Sequence, residues 1–412
     1  MKQLYEMINK MAIGVKIGFI VIAVIIMASY PVRAQEKQEK LMEIYGFIMT
    51  DAGYNFNQID PKWFDAVRPS KLPSYKNQFG TDGNFFFSVR QTRLGFRNYF
   101  KTSLGELRTR FEFDMFGIGV NAGQTTFRLR HAFAELGKFT VGQTYSPFMD
   151  IDIFPNILEY WGPNGMVAFK NIQLRFSPIQ GDTRLSFALE RPGASEDQGI
   201  YKDRIELKEV HFRFPLPDLS AEYRQAFKSG YVEIAGIARS IKWEDQNTDS
   251  LNLSGRAIGW GVNLSTNLNL GKKDVFKGQV IYGKGVQNYM NDAPLDIGIK
   301  NNFTNHIKPV LGVPLPVLGI SAFINHKWNE KLTSAIGYSL VNISNSNAQA
   351  NDAFRKGQYV VANLLFYPTS NTMVGIEYQW GDRSNFSDGW TSSITKIQCS
   401  FKYNFSQSFY KN

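Results

Sequence analysis

The sequence predicts an all-β protein: a 16-stranded antiparallel transmembrane β-barrel with short periplasmic turns, long external loops and a third loop that folds inward. Three observations predict this fold. Segments of alternating apolar and polar residues recur along the chain, their connectors alternate between short and long, and the mean hydropathy of −0.26 is polar although 14% of the residues are aromatic. The strands of membrane barrels alternate in this way, so no window of the chain looks very hydrophobic.

The alternating segments number sixteen, and seven tight connectors join them in pairs. An even number of strands returns the chain to the periplasmic side. Residues 205–214 also alternate, and we assign them to a long connector because a further strand would make the number odd. The predicted strands are residues 43–54, 87–99, 105–115, 126–136, 139–145, 169–177, 183–190, 219–228, 231–243, 255–268, 274–287, 317–327, 331–343, 356–367, 371–381 and 394–405.

A soluble β-sandwich and a helical membrane protein are the alternative folds. A sandwich would also alternate, but its connector lengths would not segregate so regularly. Helical spans need apolar runs of about 20 residues, and none follows the N-terminus. The last predicted strand favours the barrel, because one of its faces is an apolar stripe ending in aromatic residues. That stripe consists of Ile397, Cys399, Phe401, Tyr403 and Phe405.

The N-terminus has the pattern of a secretory signal peptide. Lysines precede the apolar segment 17–29, and small residues stand at a cleavage site that ends at Ala34. These three features together are typical of a signal peptide, and an uncleaved membrane anchor is the alternative. The predicted organisation is a signal peptide at 1–34, cleaved near Ala34, a short periplasmic segment at 35–42, the barrel at 43–405 and a C-terminal extension at 406–412.

The chain is basic, with a formal net charge of +10. Excess positive charge suits nucleic acid, anionic lipid or anionic solutes. An exported barrel in the bacterial outer membrane meets lipid and solutes, so the sequence predicts no nucleic-acid partner. The expected partners are outer-membrane lipid and small anionic solutes.

Arginines recur at alternate positions of the predicted strands, on the face opposite the apolar residues. On the lipid face a charge costs about 2–4 kcal/mol at the bilayer midplane, so we expect these arginines to point into the lumen. Rings of charge set pore selectivity, and guanidinium groups suit carboxylate or phosphate. The alternative is that they pair with Glu112, Asp114 and loop carboxylates to hold the wall rigid. The predicted pore-lining residues are Arg93, Arg97, Arg108, Arg110, Arg128, Arg130 and Arg175.

A sixteen-stranded barrel encloses a water-filled lumen, which a further segment must narrow. Residues 146–168, after the fifth strand, are too long and apolar for a solvated loop. We expect this third external loop to fold into the lumen, where Asp150, Asp152 and Glu159 would face the arginine wall across a constriction. The alternative is a loop packed at a subunit interface.

Several motifs resemble the DcaP-like outer-membrane porins. They are residues 142–150 (GQTYSPFMD), 154–156 (FPN), 160–165 (YWGPNG), 88–96 (SVRQTRLGF), 128–133 (RLRHAF), and 45–48 (YGFI) with 51–52 (DA). The resemblance implies a sixteen-stranded, trimeric porin associated with the uptake of small anionic solutes, dicarboxylates in particular. Members can carry a coiled coil before the barrel, but residues 35–42 are too short for one.

The sequence therefore favours a porin for passive diffusion of small hydrophilic, anionic solutes. An adhesin or scaffold whose external loops bind a partner is one alternative, and an outer-membrane hydrolase is another. A hydrolase needs a nucleophile and a base, yet the chain has four histidines and neither a GxSxG nor an HExxH motif. We predict no catalytic residue, no metal ligand and no cofactor.

Overall fold

Sixteen antiparallel strands form a barrel in the computed structural model, which describes residues 39–411. The main sheet contains eighteen strand segments. Two of them together form the second strand, and Val210–Arg213 only pairs with the outer end of the ninth. The barrel strands are β1 Lys40–Asn55, β2 Asn84–Ser88 with Arg93–Thr102, β3 Gly105–Phe116, β4 Thr125–Leu136, β5 Phe139–Tyr145, β6 Lys170–Ile179, β7 Arg184–Glu190, β8 Asp218–Phe227, β9 Gly230–Asp245, β10 Gly255–Leu270, β11 Asp274–Lys284, β12 Pro316–Lys327, β13 Leu332–Ile343, β14 Phe354–Thr369, β15 Thr372–Asn385 and β16 Thr391–Tyr410.

Each barrel strand pairs with its neighbours along the chain, and β1 pairs with both β2 and β16. This last pairing closes the sheet, so the barrel has no free edge. A closed barrel suits lipid because every backbone N–H and C=O group of the wall finds a partner between strands. The predicted fold class is confirmed.

The alternation of side chains along β15 shows why such sequences form barrel strands. Val374, Ile376 and Tyr378 are exposed on the outer surface. The side chains of opposite parity, Glu377 and Gln379, are fully buried inside the barrel. Apolar residues that face outward meet lipid, while polar residues that face inward line the lumen.

Seven short turns join the strands at the end of the barrel that is predicted to be periplasmic. Gly230 and Gly271, at two of these turns, have φ angles of 140° and 86°. Glycine adopts such angles without strain, which accounts for its use there. The long connectors all lie at the opposite end. In the sixth of them, Ile297–Asn301 and Val310–Pro314 pair as a separate hairpin.

Strand boundaries differ from the predicted ones in a few places. β16 continues to Tyr410, so most of the predicted C-terminal extension at 406–412 belongs to the last strand. The Ser406 hydroxyl donates to Glu43 of β1 at 2.8 Å, which shows that contact with β1 continues there. Residues 205–214 belong to a connector, as predicted, although Val210–Arg213 pairs with β9. The predicted signal peptide lies outside the described residues.

The largest buried apolar cluster lies inside the barrel, where the third loop (residues 146–169) packs against the inner wall. Phe148 and Val167 of the loop pack with Ile281 and Val341 of the wall. A Cβ atom at Gly165 would collide with backbone carbonyl oxygens of β12 and β13. The third loop is therefore folded into the lumen. The helices of the described part are 3-10 helices of three residues, and none is long and apolar enough to cross a membrane.

Candidate functional site in the barrel lumen

Two carboxylates of β3, Glu112 and Asp114, form the centre of a charged cluster on the inner wall. They face the lumen because they alternate with the outward-facing Phe111 and Phe113. Their side chains are 1% and 0% exposed. Charges buried to this extent need partners that compensate for the lost water.

Three arginines surround the Glu112 carboxylate. Arg110 Nη2 donates to it at 2.5 Å and Arg130 Nε at 3.0 Å, while Arg93 Nη1 lies 3.5 Å away. The Tyr45 hydroxyl donates a further hydrogen bond at 2.8 Å. One carboxylate thus orders three guanidinium groups along the wall.

Asp114 binds arginines of the neighbouring strand, β4. Arg128 donates through Nε at 3.0 Å and Nη2 at 2.7 Å, and Arg130 donates through Nη1 at 2.8 Å. Arg130 therefore bridges the two carboxylates of β3. The register between β3 and β4 shifts at this point, so that Arg130 and the adjacent His131 are both buried. Such a bulge re-aims side chains that would otherwise alternate.

Lys402 of β16 extends this cluster toward the last strand. Lys402 Nζ lies 4.1 Å from the centroid of the Phe47 ring, and the Arg93 guanidinium lies 5.1 Å from the same centroid. We define the basic wall as Arg93, Arg110, Glu112, Asp114, Arg128, Arg130 and Lys402. Its five cations exceed its two carboxylates by three positive charges.

Two of the predicted arginines, Arg97 and Arg108, add no net charge. Arg97 Nη1 lies 3.1 Å from Glu43, and Arg108 Nε lies 2.7 Å from Glu106. Their side chains are 38% and 60% exposed. Arg97 lies across from Arg110 in the register between β2 and β3, so it adjoins the basic wall. Because each of the two arginines is paired with a carboxylate, neither changes the net charge of the lumen wall.

A cavity of about 630 Å³ extends from the short turns to the third loop. Arg175, another predicted arginine, lines it and donates through Nε to Gln173 at 2.9 Å. Within residues 39–411, no carboxylate lies at ion-pair distance from Arg175. Arg184 on the same cavity is neutralised, because it lies 3.3 Å from Glu222 and 3.0 Å from Glu233.

Asp150 and Asp152 of the third loop contact a different wall from the one expected. Arg224 of β8 donates to Asp150 at 2.7 Å and to Asp152 at 2.6 Å. Tyr231 and Ser265 also donate to Asp150, at 2.8 Å and 2.6 Å. The expectation that these two carboxylates face the arginine wall is wrong, because they bind the loop to β8–β10 instead.

Glu159 of the same loop does not face the arginine wall either. Its carboxylate lies 3.4 Å from Lys396 Nζ of β16, and both side chains are fully buried. Burial raises the pKa of Glu159, and the Lys396 ammonium opposes this shift. Glu377 of β15 accepts the backbone N–H groups of Leu158 and Glu159 at 2.6 Å and 2.8 Å. The loop is therefore anchored on both sides of the lumen.

Tyr160 is the loop residue that contacts the basic wall, and it is not among the site residues predicted from the sequence. Its hydroxyl donates to Asp114 and accepts from Arg130 at 2.7 Å, and it also contacts Arg128. The sequence offered one indication of this role, since Tyr160 is a polar aromatic residue next to Glu159 in a largely apolar loop. Its partner could not be inferred, because the contact depends on where the loop crosses the lumen.

The first loop (residues 56–83) also reaches the third loop, a contact that was not predicted from the sequence. The Arg68 guanidinium packs against two indole rings that contact each other edge to face, 4.1 Å from the centroid of Trp63 and 4.0 Å from that of Trp161. Its Nε donates to Asp292 of the sixth loop at 2.9 Å. Three loops thus converge at the outer end of the lumen.

Comparison with known proteins identifies the family. A model of the DcaP outer membrane protein family matches residues 28–405. The chain belongs to the DcaP outer membrane protein family. This match confirms the resemblance found in the sequence, and it places the protein in the bacterial outer membrane. A comparison with curated proteins gives no match.

Solved structures with the same fold are outer-membrane channels and porins. The outer membrane channel DcaP of Acinetobacter baumannii has a TM-score of 0.72 and 18% identity, over 88% of this chain and 97% of its own. The anion-selective porin of Comamonas acidovorans has a TM-score of 0.56 and 11% identity, over 89% and 100%. The trimer form of Vibrio cholerae OmpT has a TM-score of 0.51 and 11% identity, over 89% and 100%. The DcaP-family chain therefore has a porin fold.

Proposed function

We propose that this DcaP-family protein is a passive channel for small hydrophilic anions, with dicarboxylates as the preferred class. The observation that carries the proposal is the excess of three positive charges on the basic wall. Fixed charges of one sign in a low-dielectric cleft concentrate counter-ions. An anion that enters the lumen meets this wall beside the third loop.

The basic wall suits carboxylates in geometry as well as in charge. Glu112 and Asp114 order four arginines, so these guanidinium groups lose little further freedom when an anion arrives. Guanidinium presents paired N–H donors that match a carboxylate. The Arg93 side chain is 23% exposed, so part of it is accessible to a solute. A solute with two carboxylates can contact two cations of the wall at once.

Arg175 supplies a second attractive position, because the cavity between the loop and the short turns contains this unneutralised guanidinium. An anion that leaves the basic wall would next meet Arg175. Several weak sites along a path allow both entry and release, which conduction requires. We place Arg93, Lys402 and Arg175 on the proposed path.

A homotrimer is part of this proposal. Its support is the fold shared with the trimer form of Vibrio cholerae OmpT. The fold shared with the anion-selective porin of Comamonas acidovorans supports the charge preference. Both relatives share the fold at 11% identity, so the basic wall itself carries the argument.

Uptake by proteoliposomes tests the proposal. Succinate and 1,4-diaminobutane have the same number of carbons and opposite charge, and erythritol is a neutral solute of the same carbon number. We expect succinate to enter about tenfold faster than the diamine, since a cleft with an excess of one charge sign enriches counter-ions by about 10-fold or more. Equal rates for the two charged solutes, or faster entry of the diamine, would contradict the proposal.

A further inference from the structure

Three cations lie side by side on the outer surface of the barrel, near the external ends of adjacent strands. Lys242 of β9 is in register with Arg213 on one side and with Arg256 of β10 on the other. Lys242 faces outward because its chain neighbours Ile241 and Trp243 are buried inside. Register partners in a sheet share a face, so all three point away from the lumen. We call Arg213, Lys242 and Arg256 the outer basic patch.

One carboxylate partly neutralises the outer basic patch. Glu244 lies 2.8 Å from Arg213 Nη1 and 2.6 Å from Lys242 Nζ. The side chains of Arg213 and Lys242 remain 65% and 41% exposed. Arg256 is exposed and has no carboxylate at ion-pair distance within residues 39–411. The patch with Glu244 therefore keeps an excess of two positive charges.

The patch lies at the upper border of the lipid-facing surface. On β10, the outward position next to Arg256 is Ile258, which is 71% exposed, and Trp260, Val262 and Leu264 continue the apolar column. The Trp260 ring contacts the outward-facing Tyr282 ring of β11, with centroids 6.0 Å apart. Aromatic residues of this kind are enriched at membrane interfaces. The outer basic patch thus lies at the depth of the external headgroups.

We propose that the outer basic patch binds the phosphate groups of an anionic lipid in the external leaflet. Lipid phosphates lie directly above the hydrocarbon layer, which is the position of the patch relative to Ile258 and Trp260. Guanidinium and ammonium groups are the donors that phosphate prefers. The acyl chains of the same lipid would pack on the apolar column below, so a lipid fits this surface better than free phosphate does. The proposal is independent of what passes through the lumen.

Native mass spectrometry of the full-length protein in detergent tests the proposal, with bisphosphorylated lipid A as the probe. The test variant is the triple substitution Arg213→Ala, Lys242→Ala and Arg256→Ala. Its matched control removes three exposed lysines at the short turns, Lys272, Lys273 and Lys331. We expect the test variant to bind lipid A on the order of tenfold more weakly. Each lysine or arginine near an anionic lipid surface adds to the free energy of binding, and the variant lacks three of them. The control should bind as the unmodified protein does.

Two further arms distinguish a bound lipid headgroup from acyl-chain binding alone and from a site for free phosphate. Dephosphorylated lipid A should bind the unmodified protein as weakly as lipid A binds the test variant. Inorganic phosphate at millimolar concentration should not displace lipid A. Equal binding by the test variant and the control would overturn the proposal, as would equal binding of the dephosphorylated lipid or displacement by inorganic phosphate.

Discussion

The ring of Tyr160 in the third loop lies parallel to the ring of Phe116 at the end of β3, with centroids 3.8 Å apart and 8° between the planes. The stack brings the Tyr160 hydroxyl to Asp114 and to the two arginines that bind it. The stacking of Tyr160 on Phe116 therefore positions the hydrogen bond between Tyr160 and Asp114. Through it, the loop that crosses the lumen helps to order the basic wall.

Tyr160→Phe should loosen this connection while it preserves the ring stack. The lost hydroxyl bonds connect to charged groups, and such bonds contribute about 2 kcal/mol. We therefore expect a lower temperature of barrel unfolding, measured by heat-dependent mobility in gels. Tyr75→Phe is the control, because Tyr75 is 56% exposed in the first loop. A Tyr160→Phe midpoint equal to that of the control would show that the hydroxyl contacts do not stabilise the barrel.

Glu112→Gln should destabilise the barrel and strengthen its preference for anions. The carboxylate lies close to Arg93, Arg110 and Arg130, which would keep their charges without it. Removing one partner of a buried ion pair costs about 3–5 kcal/mol. Urea unfolding in detergent measures the stability, and reversal potentials measure the selectivity.

Glu106→Gln is the matched control for this substitution. Glu106 is 44% exposed, and its ion pair within residues 39–411 is with the exposed Arg108, so its loss should cost less than about 1 kcal/mol. Equal destabilisation by the two substitutions would contradict the central position that we assign to Glu112.

Gly165→Ala should displace the third loop. A Cβ at this position would collide with the carbonyl oxygens of Leu340 and Ile320, which belong to the rigid barrel wall. We expect a changed single-channel conductance with more frequent current fluctuations. Gly193→Ala is the control, since a Cβ there meets nothing closer than 3.8 Å. A conductance that is unchanged in Gly165→Ala would mean that the loop does not define the constriction.

Local alternation predicted the barrel and the direction of most wall residues. The parity of β15 and β16 follows directly from residues such as Ile376 and Ile397, because lipid accepts only apolar side chains on one face. The arginine positions of β2 to β4 followed from the same rule. The bulge beside Arg130 could not be predicted, since a register shift depends on the partner strand.

The ion-pair partners of the third loop could not be predicted from the sequence for a different reason. Asp150 pairs with Arg224, which lies 74 residues away in the chain, and Glu159 pairs with Lys396. Each of these acidic side chains could have met any arginine of the lumen. The choice depends on the path of the loop, and that path depends on apolar packing by Phe148 and Val167. A charge pattern alone does not contain this information.

The proposed anion preference depends most directly on the excess of cations over carboxylates in the basic wall. Arg93→Gln with Lys402→Gln would reduce the wall's excess from three positive charges to one, without removing either buried carboxylate. The decisive measurement is the reversal potential of the unmodified protein and of this double variant in a planar bilayer with a KCl gradient. We predict anion selectivity for the unmodified protein and a clear shift toward zero for the variant. A cation-selective unmodified channel, or the same reversal potential in both proteins, would contradict the proposal.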